Sequence, residues 1–497
     1  MSEIVVHRRR GITSLLMMLF ALALGASGYL LVDLNQYGTF PADWQMTSPF
    51  SLSGPWYVGV AAWFALGLAA WGVTKWRLPY ADPLILPLVF LLSGVGISMI
   101  HRLDQADGYR SAELQMLWLF LAVTGYIVVV AWLRDHRRLQ RYTYVWFLIG
   151  LVLLLLPLVP GIGRENFGAR IWIELGPFSF QPSELAKIIL SIAFAAYLVE
   201  KRDVLALAGR RFLGVDLPRA RDLGPIAVVW AVALVVLVFQ RDLGTTVLFF
   251  GLFVMMLYTA TERVSWAILG FLLVLVLGFL GYEMFDHVQT RFESWLNPFA
   301  DYDRNGQIIS AQFGFAWGGL FGTGWGDGRP YLTPLAKNDF IAAAIGEELG
   351  LFGLCALVLL FAIMVARMLR AALACSEPFG KLLAAGIGFV FALQVFAIIG
   401  GVTRLLPLTG LTTPFVSQGG SSLAANFLLA GLMLTITHQA RRPRAEGQVT
   451  GEYVSLSADP TQAMPAVSAT TPRPDPAAFG ATPPTPPSPP RPERGDA

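Results

Sequence analysis

The sequence predicts an all-α polytopic membrane protein, and two properties of the chain support this fold class. Of its 497 residues, 55% are hydrophobic and only 14% are charged, with a mean hydropathy of +0.59. Soluble domains carry about 25% charged residues. Apolar runs of about 20 residues recur along the chain, and this is the length that an α-helix needs to cross a hydrocarbon core.

These runs predict about twelve transmembrane helices, several of them short. The first follows a basic N-terminal cluster, but its apolar stretch is too long for a cleaved signal segment. It is therefore taken as a retained helix. The predicted spans are Ile12–Val32, Trp56–Val73, Pro83–Ile100, Leu114–Leu133, Tyr144–Val159, Leu185–Val199, Pro225–Phe239, Thr245–Tyr258, Val264–Phe285, Phe340–Val365, Leu382–Val402 and Ala424–Thr437.

Basic residues predict the orientation of the spans. Six clusters all fall on the same side of the membrane as the N-terminus: Arg8–Arg10, Lys75/Arg77, Arg134–Arg141, Lys201–Arg221, Arg367/Arg370 and Arg441–Arg444. By the positive-inside rule that side is the cytoplasm, so both termini are predicted to be cytoplasmic. Three polar segments then lie outside: Gly161–Glu184, Asp286–Asp339 and Thr403–Ser422.

Two features of the composition limit the function classes. The net charge of +3 is too small to indicate nucleic-acid binding, so the basic residues are interpreted as topology signals. The two cysteines, Cys355 and Cys375, lie in or beside an apolar helix and predict neither a disulfide framework nor a metal site.

The segment 441–497 is rich in proline, alanine, threonine and serine, which predicts a disordered cytoplasmic tail.

The long polar insert at 286–339 is the most informative segment. It lacks an obvious regular pattern, and a loop of that length is usually functional or disordered. Regularly placed aromatic residues argue against disorder: Phe313, Phe315, Trp317, Phe321 and Trp325. The sequence therefore predicts a functional external loop.

Polar motifs at the predicted membrane surface supply candidate site residues. Gln181-Pro182-Ser183-Glu184 has the pattern of a helix start, with proline in the first turn and glutamate at the positive end of the helix dipole. Lys187 follows one turn into an apolar helix, where a charge is rarely without purpose. A salt bridge to Glu184 and contact with an anionic ligand both remain open.

Two further polar islands interrupt apolar runs. Arg241 and Asp242 belong to Gln240-Arg241-Asp242-Leu243-Gly244-Thr245, which is typical of either a solvated turn or the lining of a cavity. The adjacent carboxylates Glu347 and Glu348 need partners or water near the membrane. They are predicted to pair with an arginine such as Arg241 or Arg404, or to face a polar groove, and a purely structural ion pair stays open.

The last motif region runs from Arg404 to Ser422 and contains Pro407, Pro414 and several glycines. Broken helix at membrane depth is tolerated only inside protein or along a water-filled cavity. Free backbone N–H groups and the hydroxyls of Ser417 and Ser421 are suited to phosphate oxygens. Glycine-rich turns alone are a weak signal.

Taken in order, these blocks resemble the SEDS family, which includes RodA, FtsW and SpoVE. The resemblance covers roughly Pro83 to His438 and rests on six motifs: Gln-Pro-Ser-Glu, Gln-x-Asp-Leu-Gly-Thr, Trp-x-x-Pro-x-x-Asp, Asp-Phe-Ile-x-x-x-x-Gly-Glu-Glu-x-Gly, Leu-Pro-x-x-Gly-x-x-x-Pro and Ser-x-Gly-Gly-Ser-Ser. It implies a peptidoglycan glycosyltransferase of the bacterial cytoplasmic membrane. Such enzymes polymerise lipid II outside the membrane, in complex with a class B penicillin-binding protein.

The resemblance also implies a domain organisation. The family core has ten spans, which here would occupy 81–440 and include the external loop 286–339. The helices in 1–80 would then be an N-terminal addition, and 441–497 the tail. Within the family, the elongation branch is favoured over the division branch, because Thr409 stands where division proteins often carry lysine and because Gly326–Pro330 is similar to actinobacterial RodA.

The family's catalytic aspartate maps onto Asp301, which would be the general base on the acceptor sugar hydroxyl in an inverting transfer. The loop is about one residue short after this position, so Asp303 is a rival. Other departures are Asn297 for a usual aspartate, Asn305-Gly306-Gln307 for Gly-Tyr-Gln, and Gln418 for tyrosine.

The resemblance implies an anionic pyrophosphate leaving group, so cations or a divalent ion, Mg²⁺ or Mn²⁺, are expected nearby. The metal ligands are not predicted. The candidate substrate-binding residues are Arg170, Gln181, Glu184, Lys187, Arg241, Asp242, Arg291, Gln307, Asp339, Glu347, Glu348, Arg404, Ser417 and Ser421. Two other functions remain open: a flippase for the lipid-linked precursor, and an inactive scaffold for a penicillin-binding protein.

Overall fold

The architecture is that of a computed structural model. It describes residues 11–37, 44–46, 52–54, 56–133, 135–166, 169–175, 178–206, 210–212, 215–217 and 239–443, with isolated positions at 228, 231–232 and 235. The predicted tail therefore lies outside the described residues except for its first three positions. The predicted seventh span, Pro225–Phe239, also lies largely outside them.

Fourteen α-helices make up most of the described chain. In order they are α1 Gly11–Tyr37, α2 Trp56–Arg77, α3 Ile85–Asp107, α4 Ser111–Trp132, α5 Thr143–Leu155, α6 Pro182–Ala206, α7 Leu243–Thr261, α8 Val264–Met284, α9 Asp286–Leu296, α10 Tyr302–Gly318, α11 Ile341–Glu348, α12 Gly350–Ala374, α13 Pro378–Val402 and α14 Gly420–Arg441. Short 3-10 turns occupy His136–Tyr142, Leu156–Leu158, Pro298–Ala300 and Pro330–Leu332.

Eleven helical segments of the described chain are long and apolar enough to cross a membrane. They overlap eleven of the twelve predicted spans, which confirms a multi-pass helical protein. The tenth predicted span differs at its start, because α11 ends at Glu348 and the long helix α12 begins at Gly350. Val264–Met284 of α8 is the span least buried by protein, as expected of a lipid-facing helix.

The membrane-spanning fold is all-α as predicted, and short antiparallel strands occur only in connections between helices. β1 Trp44–Met46 pairs with β2 Leu52–Gly54, and β6 Arg210–Phe212 pairs with β7 Val215–Leu217. A three-stranded sheet follows α5, in the order β3 Gly163–Asn166, β4 Ala169–Leu175 and β5 Phe178–Phe180. Because these strands are short, the sequence shows no alternation of apolar and polar residues that would predict them.

The polar insert 286–339 is not a loop without regular structure. It contains the amphipathic helix α9, the helix α10 and two 3-10 turns. Asp286 and Asp303 lie in the first turns of α9 and α10, where a carboxylate complements the positive end of the helix dipole.

The bundle has two ends, which the polar contacts between helices distinguish. The motif end comprises 33–35, 101–111, 158–166, 169–175, 178–181, 240–242, 286–349 and 403–420. The opposite end comprises 75–84, 133, 135–143, 367–381 and 437–442. At the opposite end Asp82, whose side chain is buried, accepts from Arg367 Nη2 at 2.6 Å and also pairs with Arg441.

A backbone seam joins α10 to the start of α12. Thr323 N donates to Glu347 O at 3.0 Å, and Leu351 N donates to Gly319 O at 2.9 Å. Gly350 has φ +67°, and an added Cβ there would overlap the backbone of residues 320 and 322. Only glycine satisfies both constraints, so this seam fixes where the long helix begins.

Candidate functional site

Helix α9 is fastened at the motif end to the segment 403–419. Arg291 Nη1 donates to Leu408 O at 2.8 Å, and Trp295 Nε1 donates to Arg404 O at 3.0 Å. Arg404 returns the contact through Nη2 to Trp295 O at 3.1 Å. Two motifs more than 100 residues apart therefore build one surface.

The segment that precedes α11 is tied to the same surface. Ser417 Oγ donates to Asn338 O at 2.7 Å, and Gln418 N donates to Lys337 O at 2.8 Å. On its other side Lys337 Nζ pairs with Asp104 Oδ1 at 2.7 Å. These contacts place Asp339 beside the 403–419 segment.

Asp301 lies in this surface as the N-cap of α10. Its Oδ1 accepts from Arg304 N at 3.0 Å, which satisfies one of the free amides of the first helical turn. The residue is exposed, as is Asp303 two residues later. Asp301 therefore caps the turn that begins α10, while its carboxylate stays open to solvent.

Asn305, one of the departures from the family pattern, has a clear structural role. It is buried, its Oδ1 accepts from Ser294 Oγ at 2.6 Å, and its Nδ2 donates to Pro298 O at 2.8 Å. The side chain therefore clamps the end of α9 to the turn that carries Asp301.

Arg291 lies between two carboxylates, and the three residues are called here the Arg291 cluster: Asp242, Arg291 and Asp339. An added Cβ on Gly410 would lie 3.5 Å from both Nη atoms of Arg291 and 3.6 Å from Asp339 Oδ2. Asp242 caps α7 by accepting from Thr245 N at 3.0 Å, while its Oδ2 is buried without a hydrogen-bond partner among the described residues.

Burial is the largest influence on the acids of the Arg291 cluster. It raises the pKa of Asp339 to about 6, with Arg291 opposing the rise and Asp242 adding to it. Burial also raises the pKa of Asp242, against its hydrogen bonds to Thr245 and the charge of Arg291. The same burial lowers the pKa of the Arg291 guanidinium. One cation is therefore shared by two carboxyl groups that are poorly solvated.

The Asp339 shift predicts a pH-dependent stability. A folded-state pKa above the ordinary value means that the folded chain binds the proton more tightly than the unfolded chain, so stability falls as pH rises from about 4 to about 6. Asp339→Asn removes the titrating carboxyl group. Acidification from about pH 7 to pH 5 should therefore raise the free energy of unfolding less in this variant than in wild type, by on the order of 1–3 kcal/mol. Thermal unfolding of both proteins in detergent across this range measures the difference.

Asp303→Asn, a change at an exposed carboxylate, is the matched control for this pH experiment. Equal pH slopes for wild type and Asp339→Asn would contradict the placement of a poorly solvated carboxyl at residue 339.

Strained backbone is concentrated at the motif end. Among the described residues, five non-glycine positions have positive φ, and four of them lie here: Arg241 (58°), Leu335 (57°), Arg404 (61°) and Phe415 (66°). Such conformations cost on the order of 1–3 kcal/mol each and cluster where function constrains the chain. The strain marks 240–242 and 403–419 as parts of a constructed site.

Lys187 lies in a buried polar network beneath this surface. Its Nζ donates to Glu184 Oε2 at 2.9 Å, to Gln394 Oε1 at 3.1 Å and to Asn426 Oδ1 at 3.5 Å. Only 3% of the residue is exposed. An ammonium group has three donors, and all three are directed to protein atoms. The salt bridge from Lys187 to Glu184 is present, and contact with an anionic ligand stays a prediction.

Glu348 pairs with an arginine, as one of the alternatives predicts, but the partner is Arg102 rather than Arg241 or Arg404. Glu348, which is fully buried, accepts from Arg102 Nε at 2.9 Å and from Gly326 N at 3.0 Å. Glu347 Oε1 accepts from Arg329 N. The pattern could not reveal this partner, because Arg102 lies 246 residues away on α3.

The remaining candidates divide between framework and surface. Ser417 and Ser421 are buried and bonded to backbone, with Ser421 Oγ accepting from Gln181 N at 3.2 Å. Arg170 is exposed on β4 and pairs with Glu165 at 3.4 Å. Gln307 lies on α10, partly buried. No observation tests whether any of these binds substrate, and the substrate-binding set stays a prediction.

Several residues that shape the site were not singled out from the sequence. Gln394 and Asn426 are uncharged polar residues inside apolar helices, and that contrast was the available signal. Arg102 near the end of α3 is a charge at membrane depth, which calls for a partner in the same way as Lys187. Lys337 lies just before the motif that begins at Asp339, so the motif itself gives no signal for it.

The fold and site together define the class: a multi-pass helical membrane protein with a strained, polar surface at one end of its bundle and an exposed aspartate within it. The profile of the family described as "Cell cycle protein", that of FtsW, RodA and SpoVE, matches residues 79–442. The chain belongs to this family, which confirms the SEDS resemblance.

Named relatives agree with the assignment. The chain is 46% identical over 437 residues to "Peptidoglycan glycosyltransferase RodA" of Mycobacterium tuberculosis, covering 86% of this chain and 91% of that protein. It is 43% identical to the protein of the same name from Mycobacterium leprae, with 86% and 90% covered. Against "Probable peptidoglycan glycosyltransferase FtsW" of Geobacter metallireducens it is 34% identical, with 72% and 94% covered.

Solved structures share the fold. A chain of the structure described as "Structural coordination of polymerization and crosslinking by a peptidoglycan synthase complex" is 26% identical, with a TM-score of 0.60, and covers 73% of this chain and 99% of its own. The Thermus thermophilus rod shape determining protein RodA is 25% identical, with a TM-score of 0.50, and the shares are 73% and 98%.

Proposed function

We infer that this chain is a peptidoglycan glycosyltransferase that polymerises lipid II, and we propose that Asp301 is its general base. Family membership supports the reaction. The observation that supports the residue is its position: an exposed carboxylate, fixed as a helix cap, on the same surface as Arg291 and Arg404. A sugar hydroxyl is a poor nucleophile, so a carboxylate must take its proton as the bond forms.

The 4-hydroxyl oxygen of the acceptor sugar attacks C1 of a second lipid-linked sugar and forms the glycosidic bond. The bond from C1 to the phosphate oxygen breaks, and undecaprenyl pyrophosphate leaves with the electron pair. The hydroxyl proton passes to the Asp301 carboxylate. Attack opposite the leaving group inverts the configuration at C1.

The leaving pyrophosphate needs positive charge, and the arginines of the motif end supply it. Arg241 is exposed, and Arg404 is partly buried with an Nε that has no partner among the described residues. Arg291 is already shared by two carboxyl groups, which makes it a positioning residue rather than a free cation. The proposed phosphate contacts are therefore Arg241 and Arg404.

A resident Mg²⁺ or Mn²⁺ ion does not fit the described acids of the motif end. Such ions take several oxygen ligands, whereas Asp242 and Asp339 flank a guanidinium, and Asp301 and Asp303 face solvent. Within the described ranges, no group of three ligand side chains converges at this end. No step of the proposed reaction is assigned to a metal ion.

The motif end is proposed to lie outside the cytoplasmic membrane and both termini inside. The described parts of the basic clusters support this orientation, because Lys75, Arg77, Arg138, Arg367 and Arg441 all lie at the opposite end. Twelve spans are proposed, with Pro225–Phe239 as the seventh. They would form a ten-helix core preceded by α1 and α2.

Thiol accessibility tests this orientation. Asp303→Cys at the motif end and Arg138→Cys at the opposite end both replace exposed residues. In a Cys355→Ser background, a membrane-impermeant maleimide added to intact cells is expected to label the first variant and not the second. The Cys355→Ser parent gives the baseline, and permeabilised cells should label both. The reverse pattern would place the motif end in the cytoplasm.

The partner is proposed to be a class B penicillin-binding protein, and the role to be cell elongation. A structural neighbour belongs to a peptidoglycan synthase complex, and the 46% and 43% identical relatives are named RodA. The identities favour the elongation branch over the FtsW relative at 34%.

Polymerisation by the purified protein tests the proposed function. Lipid II is supplied with and without the cognate penicillin-binding protein and a divalent ion, and glycan ladders are expected from wild type. If no polymer forms under any of these conditions while a wild-type relative is active in the same assay, the scaffold or flippase alternatives would replace the polymerase. Transfer of labelled lipid II between leaflets of a vesicle then distinguishes those two.

A further inference from the structure

Three potential metal ligands converge at the opposite end, far from the motif end. They are His136 in the 3-10 turn after α4, Cys375 after α12, and Glu377 before α13. One donor atom from each, an imidazole nitrogen, the thiol sulfur and a carboxylate oxygen, lies within 4.8 Å of the other two. We propose that these three residues form a zinc-binding site that fastens the turn between α4 and α5 to the turn between α12 and α13.

The donor set selects the metal. Zinc in proteins is bound by cysteine sulfur at about 2.3 Å and by histidine nitrogen and carboxylate oxygen at about 2.0–2.2 Å, usually in a tetrahedron. Magnesium and calcium prefer oxygen ligands throughout, which a thiol and an imidazole do not offer. His136 Nε2 and Glu377 Oε2 are 3.1 Å apart, near the separation of two ligands on one tetrahedral ion. Water would complete the fourth position.

The Glu377 carboxylate is held in place for this role. Its Oε1 accepts from Phe379 N at 2.9 Å and its Oε2 from Gly380 N at 2.7 Å, which caps the first turn of α13. These amide donors resemble the outer partners that orient metal ligands. The ligating oxygen keeps a lone pair available toward His136 and Cys375.

Gly380 makes the convergence sterically possible. An added Cβ at this position would overlap His136 Nε2 and would lie 2.9 Å from Cys375 Sγ and 3.0 Å from Glu377 Oε2. The three donors thus surround the face of one glycine, and any larger residue would separate them. The backbone of Gly380 is helical, so its conformation does not require glycine; the closeness of the three donors does.

The burial of His136 and Cys375, and the free Nδ1 atom of the His136 ring, suit a structural metal ion. His136 is 1% exposed and Cys375 6% exposed, while Glu377 is partly open to solvent and offers an entry path. His136 Nδ1 is buried without a hydrogen-bond partner among the described residues, so the ring can carry its proton there while Nε2 binds the ion. Binding would release the Cys375 thiol proton to solvent as the thiolate forms.

Zinc content of the full-length protein tests the proposal. Protein purified with a reductant, stripped with a chelator and reloaded with Zn²⁺ alone is expected to retain about one ion per chain after desalting. Cys375→Ser should weaken binding by more than the roughly 10–100-fold that loss of an outer partner produces. Gly380→Ala should also lose zinc, although it leaves all three ligands present.

Cys355→Ser is the matched control, since Cys355 is an exposed cysteine on helix α12, the helix that Cys375 follows, and should keep wild-type zinc. Cobalt substitution gives a second readout: a thiolate-to-cobalt absorption band in wild type and Cys355→Ser that disappears in Cys375→Ser. Folding of each variant is checked by its size-exclusion profile. Zinc retention that is equal in wild type and Cys375→Ser, or absent from both, would show a hydrogen-bonded junction and overturn the site.

Discussion

Asp301→Asn is expected to lower the rate of lipid II polymerisation by about 10²–10⁴-fold, the range that a positioned general base contributes. Asparagine has no basic oxygen at neutral pH, so the attacking hydroxyl keeps its proton. The variant is well matched because asparagine caps a helix about as well as aspartate. The bond from Arg304 N to residue 301, and with it the start of α10, should survive the change.

Asp303→Asn is the internal control for this experiment. Asp303 shares the first turn of α10 and is equally open to solvent, but it is not the residue that caps the helix. Polymer yield from this variant should stay near wild type. If Asp303→Asn abolishes polymerisation and Asp301→Asn does not, then the correspondence with the family is shifted across the short loop and Asp303 is the base.

A third variant separates catalysis from loop geometry. Asn305→Ala removes the clamp between Ser294 and Pro298 without touching a carboxylate. It leaves the buried Pro298 carbonyl without its donor, while Ser294 Oγ keeps its bond to Thr290 O. It should lower both the melting temperature and the activity, whereas Asp301→Asn should lower only the activity. The two signatures distinguish a chemical role at residue 301 from a structural one.

The membrane class and most of the spans could be predicted from the sequence, because both follow from the length and apolar composition of the helices. Eleven spans were predictable in this way, and the positions of the polar motifs at one end followed from counting them. The break between α11 and α12 was not predictable, since it depends on Gly350 meeting the backbone of residues 320 and 322. Such a contact leaves no periodic signal in the chain.

Pairing was the part of the site that the sequence could not supply. Glu348 binds Arg102, and Arg291 lies between Asp242 and Asp339, yet each partner is remote in the chain. Cys375 was interpreted as a helix residue without metal chemistry because no ligand spacing surrounds it. Its proposed partner His136 lies on a different turn, which only the packing of α13 against the 3-10 turn brings near.

Lys187→Met is expected to destabilise the folded protein by about 3–5 kcal/mol, because it leaves the buried Glu184 carboxylate without its cation. Methionine has a similar length and no charge, so packing changes little. The melting temperature in detergent should fall clearly. Glu184 is 7% exposed and has little access to water that could replace the ammonium.

The double variant Glu184→Gln/Lys187→Met distinguishes a structural pair from a ligand site. Removing both charges together avoids an unpaired buried ion, and replacement of a buried pair by neutral residues is often nearly neutral for stability. The double variant should therefore melt closer to wild type than Lys187→Met does.

If Lys187 bonds only to protein atoms, the double variant should regain both melting temperature and polymerisation activity relative to Lys187→Met. A contact with the pyrophosphate of the substrate would give a different result: Lys187→Met would melt near wild type, and the double variant would stay inactive however stable it became. The geometry favours the first outcome, because an ammonium whose three bonds end on Glu184, Gln394 and Asn426 has none left for a ligand. The arginines above it remain the groups that can meet the phosphates.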